Sequence, residues 1–531
     1  MISPDLTSDD PELQRRTGGL TLDDAGPTIG PVVFAIAESP LEEGLLWAGT
    51  NDGLVQVTRD GGATWEDVTS NLPGLPPRGT VSNIEPSRHA AGTAYVTVDR
   101  HQLGDFDPYV YRTADFGRHW TRIDAAIPRS VFSYAHCVRE DPAQPGLLYL
   151  GTENGVWVSF DDGAGWHSLQ SNLPHAPVHW LVVQEQFADL VLATYGRGFW
   201  ILDDITPLRA LAARVAARAG EDGRSPERAL VPREPVLFAP RPAYRFRSRE
   251  EAMSQPGDPA AGRNPEYGAS LHYSVPEGLP EDTELSLRII GAGGDTVYTF
   301  DDPDGAPGLH RIHWNLRTDA TRQPRLRTPP DENPHVPLPA RGWRAMPDGG
   351  RLSLLVPPDR YTVRLGIGEA VRERTLEVRR DPTAPGSIDG IRAAWPVLRD
   401  LYAMLERAAL VIDEIEWLRR QLADIEARLR EAEPTEGDSV PADVSALETG
   451  LKGVEGRLFD LRHTGAGQDG LRWRRLLYAR IASLARDIGG TDEPPTEPQL
   501  AVRRLLGEEL AEVEERFAAL RGRPLADLNR A

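Results

Sequence analysis

Cysteine is nearly absent. Cys137 is the only one in 531 residues, so neither an intrachain disulfide nor a cysteine-rich zinc site can form. Lysine is as scarce, with Lys452 alone, and arginine carries nearly all the positive charge. Acidic residues outnumber basic ones, 80 against 59, for a formal net charge of −21. That balance argues against nucleic acid as a partner, because basic patches supply most of such affinity, and against docking on anionic membranes. No apolar run reaches the roughly 18 residues that span a bilayer. The opening stretch, Met1 to Arg16, is polar and acidic, unlike a signal peptide. No histidine spacing suits zinc, no acidic loop matches an EF-hand and no glycine loop cradles phosphate, so neither a metal nor a cofactor is expected.

What the chain does have is length, a 40% hydrophobic content sufficient for real cores, and a repeat. The length suggests roughly three or four domains. Thr58 to Trp65, Thr113 to Trp120 and Ser159 to Trp166 each read S/T-x-D-x-G-x-x-W. The acids are Asp60, Asp115 and Asp161, the glycines Gly62, Gly117 and Gly163, and the tryptophans Trp65, Trp120 and Trp166. An alternating apolar stretch precedes each box, and a short strand follows, ending in Asn71-Leu72-Pro73, Ala126-Ile127-Pro128 or Asn172-Leu173-Pro174. Period-two alternation broken by Gly, Asp and Pro predicts strand, turn, strand. The box itself suits a tight hairpin. Asp accepts from turn N–H groups, Gly supplies a positive φ, and Trp folds back onto the sheet.

The boxes recur after 55 and 46 residues, a spacing that suits one four-stranded blade per repeat. A fourth copy is degenerate: Leu190 to Thr194 and Gly198 to Leu202 parallel earlier strands, but Asp203-Asp204 leads into Thr206-Pro207. Ile2 to Leu6 aligns with Val68 to Leu72, the strand after a box, so the chain is expected to start inside a blade as part of a longer product.

Several phrases carry a resemblance: Ala37–Pro40, Trp47–Gly53, Asp99–His101, Val138–Pro142, Tyr195–Asp204, Gly308–Arg317 and Pro358–Arg364. With the boxes, they resemble the Asp-box (BNR) repeats of sialidases, xyloglucan-type glycoside hydrolases and the sortilin/VPS10 propeller. The chain as a whole resembles bacterial sortilin-like or glycosyl-hydrolase-like BNR-repeat proteins. The resemblance implies a β-propeller shortened at its N-terminal side and a secreted or periplasmic setting. It does not imply chemistry, because the repeat is scaffold.

The expected organisation is mainly β. A partial β-propeller of about four blades covers residues 1–207 and a linker covers 208–265, with a short helix from Leu208 to Ala219. An immunoglobulin- or fibronectin-III-like β-sandwich covers 266–380, and a C-terminal α-helical bundle or coiled coil covers 388–525. The last rests on apolar residues stepping by three and four, as in Leu398, Leu401, Leu405, Ala408, Ile412 and Ile415, with a helix break at Pro434–Ser439.

Candidate chemistry gathers in two places. Asp99, Arg100 and His101, with Asp105 and Asp107, follow a strand and open a long insertion before Tyr109. Tyr195, Arg197 and Trp200 sit in the last blade, where they can line the same face. Asp99, Asp105 and Asp107 are the candidate carboxylates for glycoside hydrolysis, which needs a pair of them. Arg100, His101, Tyr195, Arg197 and Trp200 are the candidate ligand contacts. Asp60, Asp115 and Asp161 are assigned to structure, as are His136 and Cys137, adjacent on one strand. The leading functional expectation is a non-catalytic binding or scaffold protein with a protein or glycan partner, open to completion by another chain or a second copy. The alternative is an Asp-box glycoside hydrolase acting on polysaccharide.

Overall fold

The alternating runs of the first 202 residues fold into four small antiparallel sheets, taken in chain order. In the computed structural model the described residues are 3–8, 31–218, 230, 232–247, 265–280, 282–346, 350–431, 440–465 and 468–528. Most of the opening stretch through Arg16, half of the 208–265 linker and the break at Pro434–Ser439 lie outside them.

The first sheet runs β1 (Val33–Glu38), β2 (Leu46–Thr50), β3 (Val55–Thr58) and β4 (Glu66–Asp67). The second runs β5 (Thr80–Pro86), β6 (Ala94–Asp99), β7 (Tyr109–Thr113) and β8 (Trp120–Arg122). The third runs β9 (Ala135–Glu140), β10 (Leu148–Thr152), β11 (Gly155–Ser159) and β12 (His167–Ser168). The fourth has three strands, β13 (Val178–Gln184), β14 (Asp189–Thr194) and β15 (Phe199–Leu202). Strand order follows chain order in all four.

Each box closes the hairpin between the third and fourth strands of a sheet. The hydroxyls of Thr58, Thr113 and Ser159 accept from the N–H groups of Gly62, Gly117 and Gly163 at 2.9–3.0 Å, and each donates to its box aspartate. Asp60, Asp115 and Asp161 then accept the N–H of Thr64, His119 and Gly165. These hydrogen bonds, first those from Thr64, hold the Asp60 carboxyl down at about 2. Gly117 and Gly163 have φ of +84° and +88°, and each also seats against the preceding sheet, on Val68 and Ile123 respectively. Trp166 donates its indole N–H to the Ile123 carbonyl at 2.7 Å. The box is thus a joint between sheets as well as a turn.

The sheets stack face to face. Trp47, Val55 and Val57 of the first share a core with Val96, Val98 and Tyr111 of the second. Tyr95 and Val110, on the second sheet's other face, meet Val138, Leu148 and Leu150 of the third. Tyr149, Val156 and Val158 meet Leu181, Leu190 and Leu192 of the fourth, in a cluster that also holds Ala212 and Val215 of α1 (Thr206–Arg218). The first strands β1, β5, β9 and β13 lie side by side in succession. Both ends of the stack keep apolar side chains exposed: Phe34 and Ile36 on β1, and Trp180, Val182, Phe199 and Ile201 on the fourth sheet.

The chain divides into two compact units. One comprises residues 1–241, 270–283 and 304–312, and the other residues 242–269, 284–303 and 313–531. The first unit thus draws in strand segments from within 266–380. The second holds a five-stranded sheet whose long hairpin pairs Asp359–Ile367 with Ala370–Arg380, and in which Ala243–Arg245 adds in parallel along the latter strand. Its helices are α2 (Ile388–Glu431), α3 (Val440–Leu458), α4 (Leu477–Gly489) and α5 (Glu497–Arg521). Their period-3.6 apolar faces converge: Leu405, Ile412 and Ile415 of α2, Leu451 and Val454 of α3, Ile481 and Ile488 of α4, and Leu510 and Phe517 of α5 share one core. Thr496 caps α5 reciprocally with Gln499. Among the described residues, no helix is long and apolar enough to cross a membrane.

Candidate functional site

The antiparallel meander sorts loops to two ends of the stacked sheets. The start of each first strand pairs with the end of each second, as in Thr80 with Asp99, Ala135 with Thr152 and Val178 with Thr194. The boxes lie at the opposite end, beside the turns at Gly44, Gly92 and Gly146. Box acids and the Asp99 loop are therefore kept apart.

At the Asp99 end, each first strand carries a register shift at its second or third residue. Phe34, Ser82, His136 and His179 are the residues bypassed by the ladder. A bulge re-aims the side chain that plain alternation would send to a sheet face. The two histidines consequently meet across neighbouring sheets, with ring centroids 4.1 Å apart and planes at 29°. The contacts extend both ways. His101 stacks on Tyr134 at 4.7 Å, Tyr134 meets His136 edge-on at 5.3 Å, and His179 stacks with Tyr195 at 5.6 Å. Five rings thus form one row across the second, third and fourth sheets.

Two carboxylates flank the row. Asp99 accepts from the backbone N–H of His101 at 2.9 Å and lies 2.7 Å from its Nδ1. Glu153, in the two-residue turn between β10 and β11, lies 2.9 Å from Nε2 of His136. Burial, then the charge and hydrogen bond of Glu153, raise the Tyr134 hydroxyl above its ordinary value. Burial, then neighbouring His136, hold the His179 imidazole below its own.

The structure brings Asp99, His101 and Tyr195 together along this row and sends the other sequence-selected residues elsewhere. Arg100 is buried. Its guanidinium bonds Asp105 at 2.8 Å and the carbonyls of Pro76, Pro77 and Arg78, tying the insertion to the preceding loop. Asp105 also accepts from the Tyr109 hydroxyl at 2.7 Å. Burial alone would raise the Asp105 carboxyl, but the bonds from Arg100 and Tyr109 outweigh it and hold it below the usual range. Asp107 accepts from Arg122 at 3.1 Å. Arg197 is exposed in the β14–β15 turn, and its carbonyl accepts the indole N–H of Trp200, whose side chain packs on the core between the third and fourth sheets. Cys137 is fully buried, its thiol pushed up to about 12 by burial, and forms no dyad with His136.

Tyr134, Glu153 and His179 escaped the sequence reading, and His136 was assigned to structure alone. One signal could have found the two histidines. His136 and His179 hold the same place in successive first strands, in Ala135-His136-Cys137 and Val178-His179-Trp180.

A second cross-sheet contact lies further along the first strands. Arg139 of β9 bonds Glu85 of β5 at 3.2 Å and lies 4.2 Å over the Trp180 ring of β13. Burial pushes the Glu85 carboxyl up to about 7, against the pull of Arg139.

No known family's sequence profile matches the chain, and no curated protein matches it. Partial similarity to solved structures is found. YCF48 from Cyanidioschyzon merolae covers 32% of this chain and 53% of its own, at 20% identity and a TM-score of 0.24. YCF48 bound to D1 peptide covers 33% and 51%, at 16% identity and a TM-score of 0.24. The GH74 xyloglucanase from Xanthomonas campestris covers 69% and 48%, at 15% identity and a TM-score of 0.27. These are β-propeller proteins, and this chain spans about half the length of each.

Proposed function

We propose that this chain is a non-catalytic binding or scaffold protein, an incomplete Asp-box β-propeller whose Asp99 end receives a protein or glycan partner. The architecture proposed with it adds a sandwich of immunoglobulin or fibronectin-III type and a helical bundle. One observation carries the reading: the ring row from His101 to Tyr195 spans three sheets and ends in a tyrosine that is 73% exposed. Rigid rings with polar edges give large contact area at small entropic cost, which suits recognition.

Glycoside hydrolysis is the less favoured reading. It needs an acid that keeps its proton near neutral pH, with a second carboxylate opposite it. Asp105 is instead held low, and Asp107 is engaged by Arg122. Asp99 is engaged by His101. The exposed apolar faces at both ends of the stack support a further element of the proposal, completion by another chain or a second copy.

The test is binding of the whole chain to glycan and peptide arrays, with Tyr195→Ala as the probe variant. A hit weakened at least tenfold by Tyr195→Ala, with melting unchanged, is the expected result. Release of reducing ends from a polysaccharide panel, abolished by Asp99→Asn, overturns the proposal in favour of hydrolysis.

A further inference from the structure

We propose that His136, Glu153 and His179 form a binding site for one divalent transition-metal ion, zinc foremost, at the joint between the third and fourth sheets. Each residue offers one ligand atom, and these atoms lie within 4.8 Å of one another. They come from three separate segments: the bulge of β9, the β10–β11 turn and the bulge of β13. The inference stands on this geometry, whether or not the ring row binds a partner.

The donor set selects the class of ion. Two imidazoles and a carboxylate suit zinc and its neighbours, whereas calcium and magnesium take oxygen ligands. Three protein ligands leave a fourth tetrahedral position, the arrangement of an open rather than a closed zinc site. His179 is exposed while His136 and Glu153 lie deeper, so that position would open toward solvent beside His179. A water or a ligand group can occupy it.

The adjustment required is small. With metal–ligand bonds of about 2.0–2.2 Å, tetrahedral donors stand roughly 3.3 Å apart. His136 Nε2 and Glu153 Oε2 are now 2.9 Å apart, held by a proton that the ion would replace. His179 is exposed and Glu153 sits in a tight turn, so both can rotate by the remaining ångström or so without disturbing the sheets. The surroundings support the carboxylate. The Glu153 N–H donates to the Tyr134 carbonyl at 3.1 Å, fixing the turn that carries the carboxylate. Outer partners of this kind orient a ligand before the ion arrives.

The alternative is a plain His136–Glu153 ion pair with a stacked His179, and the two readings differ in what they retain. The whole chain, stripped with a chelator, is equilibrated with zinc at micromolar concentration, dialysed and assayed for metal per chain. Cobalt(II) in place of zinc supplies a visible ligand-field band. We expect one ion per wild-type chain, a cobalt band of a low-coordinate N/O site, and at least a tenfold loss of affinity in both His179→Ala and Glu153→Gln. His179 is exposed, so its variant keeps the wild-type melting profile measured without metal. Failure of wild type to retain zinc, or equal retention by His179→Ala, overturns the proposal.

Discussion

His136 and His179 hold equivalent positions, each the bypassed second residue of its strand, and their rings stack at 4.1 Å although 43 residues separate them in sequence. Two identical local irregularities, repeated in adjacent sheets, thereby build a contact that neither sheet has alone. The same end of the stack carries His101, Tyr134 and Tyr195, so the bulges turn a row of strand ends into one chemical surface.

The box glycines should differ sharply from the other turn glycines. A Cβ on Gly163 would sit 2.5 Å from Ile123 Cδ1 and 2.9 Å from Ile123 Cβ, at a φ of +88°. A Cβ on Gly61 would meet nothing within 4 Å, at a φ of +69°. Gly163→Ala is expected to cost about 2–4 kcal/mol, combining left-handed strain with overpacking, and Gly61→Ala about 1 kcal/mol from strain alone. Chemical denaturation of the two variants measures the difference.

Arg100→Gln tests whether that arginine is a ligand contact or a strut. Its guanidinium is buried and bonded to Asp105 and to carbonyls of the loop before β5. Its loss leaves buried acceptors without their donor and is expected to destabilise the first unit by about 3 kcal/mol. A thermal melt unchanged by the substitution would refute the strut.

Glu85 should impose a pH dependence opposite in sign to that of an ordinary salt-bridged carboxylate. Its folded-state carboxyl is pushed up to about 7 by burial, from an ordinary value of 4.5. Between those values the folded state binds the proton that the unfolded state has released, so stability falls as pH rises. Its contribution is fully present below pH 4.5 and lost by about pH 7, a change of about 3 kcal/mol. Subtracting the pH–stability profile of Glu85→Gln from that of wild type isolates it, and a flat difference would show that Arg139 keeps Glu85 ionised throughout.

The open face of the fourth sheet should govern association. Phe199 and Ile201 are 80% and 58% exposed. Phe199→Ser with Ile201→Thr is expected to leave stability within about 0.5 kcal/mol, as surface changes do, while reducing concentration-dependent association. Light scattering across a dilution series, paired with a melt, checks both halves.

The legible part of the site was the part made by neighbours in sequence. Asp99 and His101 could be picked out as a pair because a single residue separates them and one loop holds them. Tyr195 could be picked out because it follows a recognisable strand. Arg100 looked like a ligand contact because nothing local shows where a guanidinium reaches, and its partners at Pro76 to Arg78 lie on another loop. His136 looked like an inward or outward strand residue because alternation assumes an unbroken ladder, and the bulge breaks it.

The sequence alone determined the hairpins, through hydroxyl, aspartate and glycine within eight residues of each other, and the helices, through their apolar period. Those features satisfy backbone and solvent locally, so no distant partner is needed to read them. Tertiary structure decided which end of each sheet faces which neighbour, that Gly163 must clear Ile123, and that His136, Glu153 and His179 converge. Such convergence depends on sheet stacking and register, and residues far apart in the chain carry no local mark of the partner they will meet.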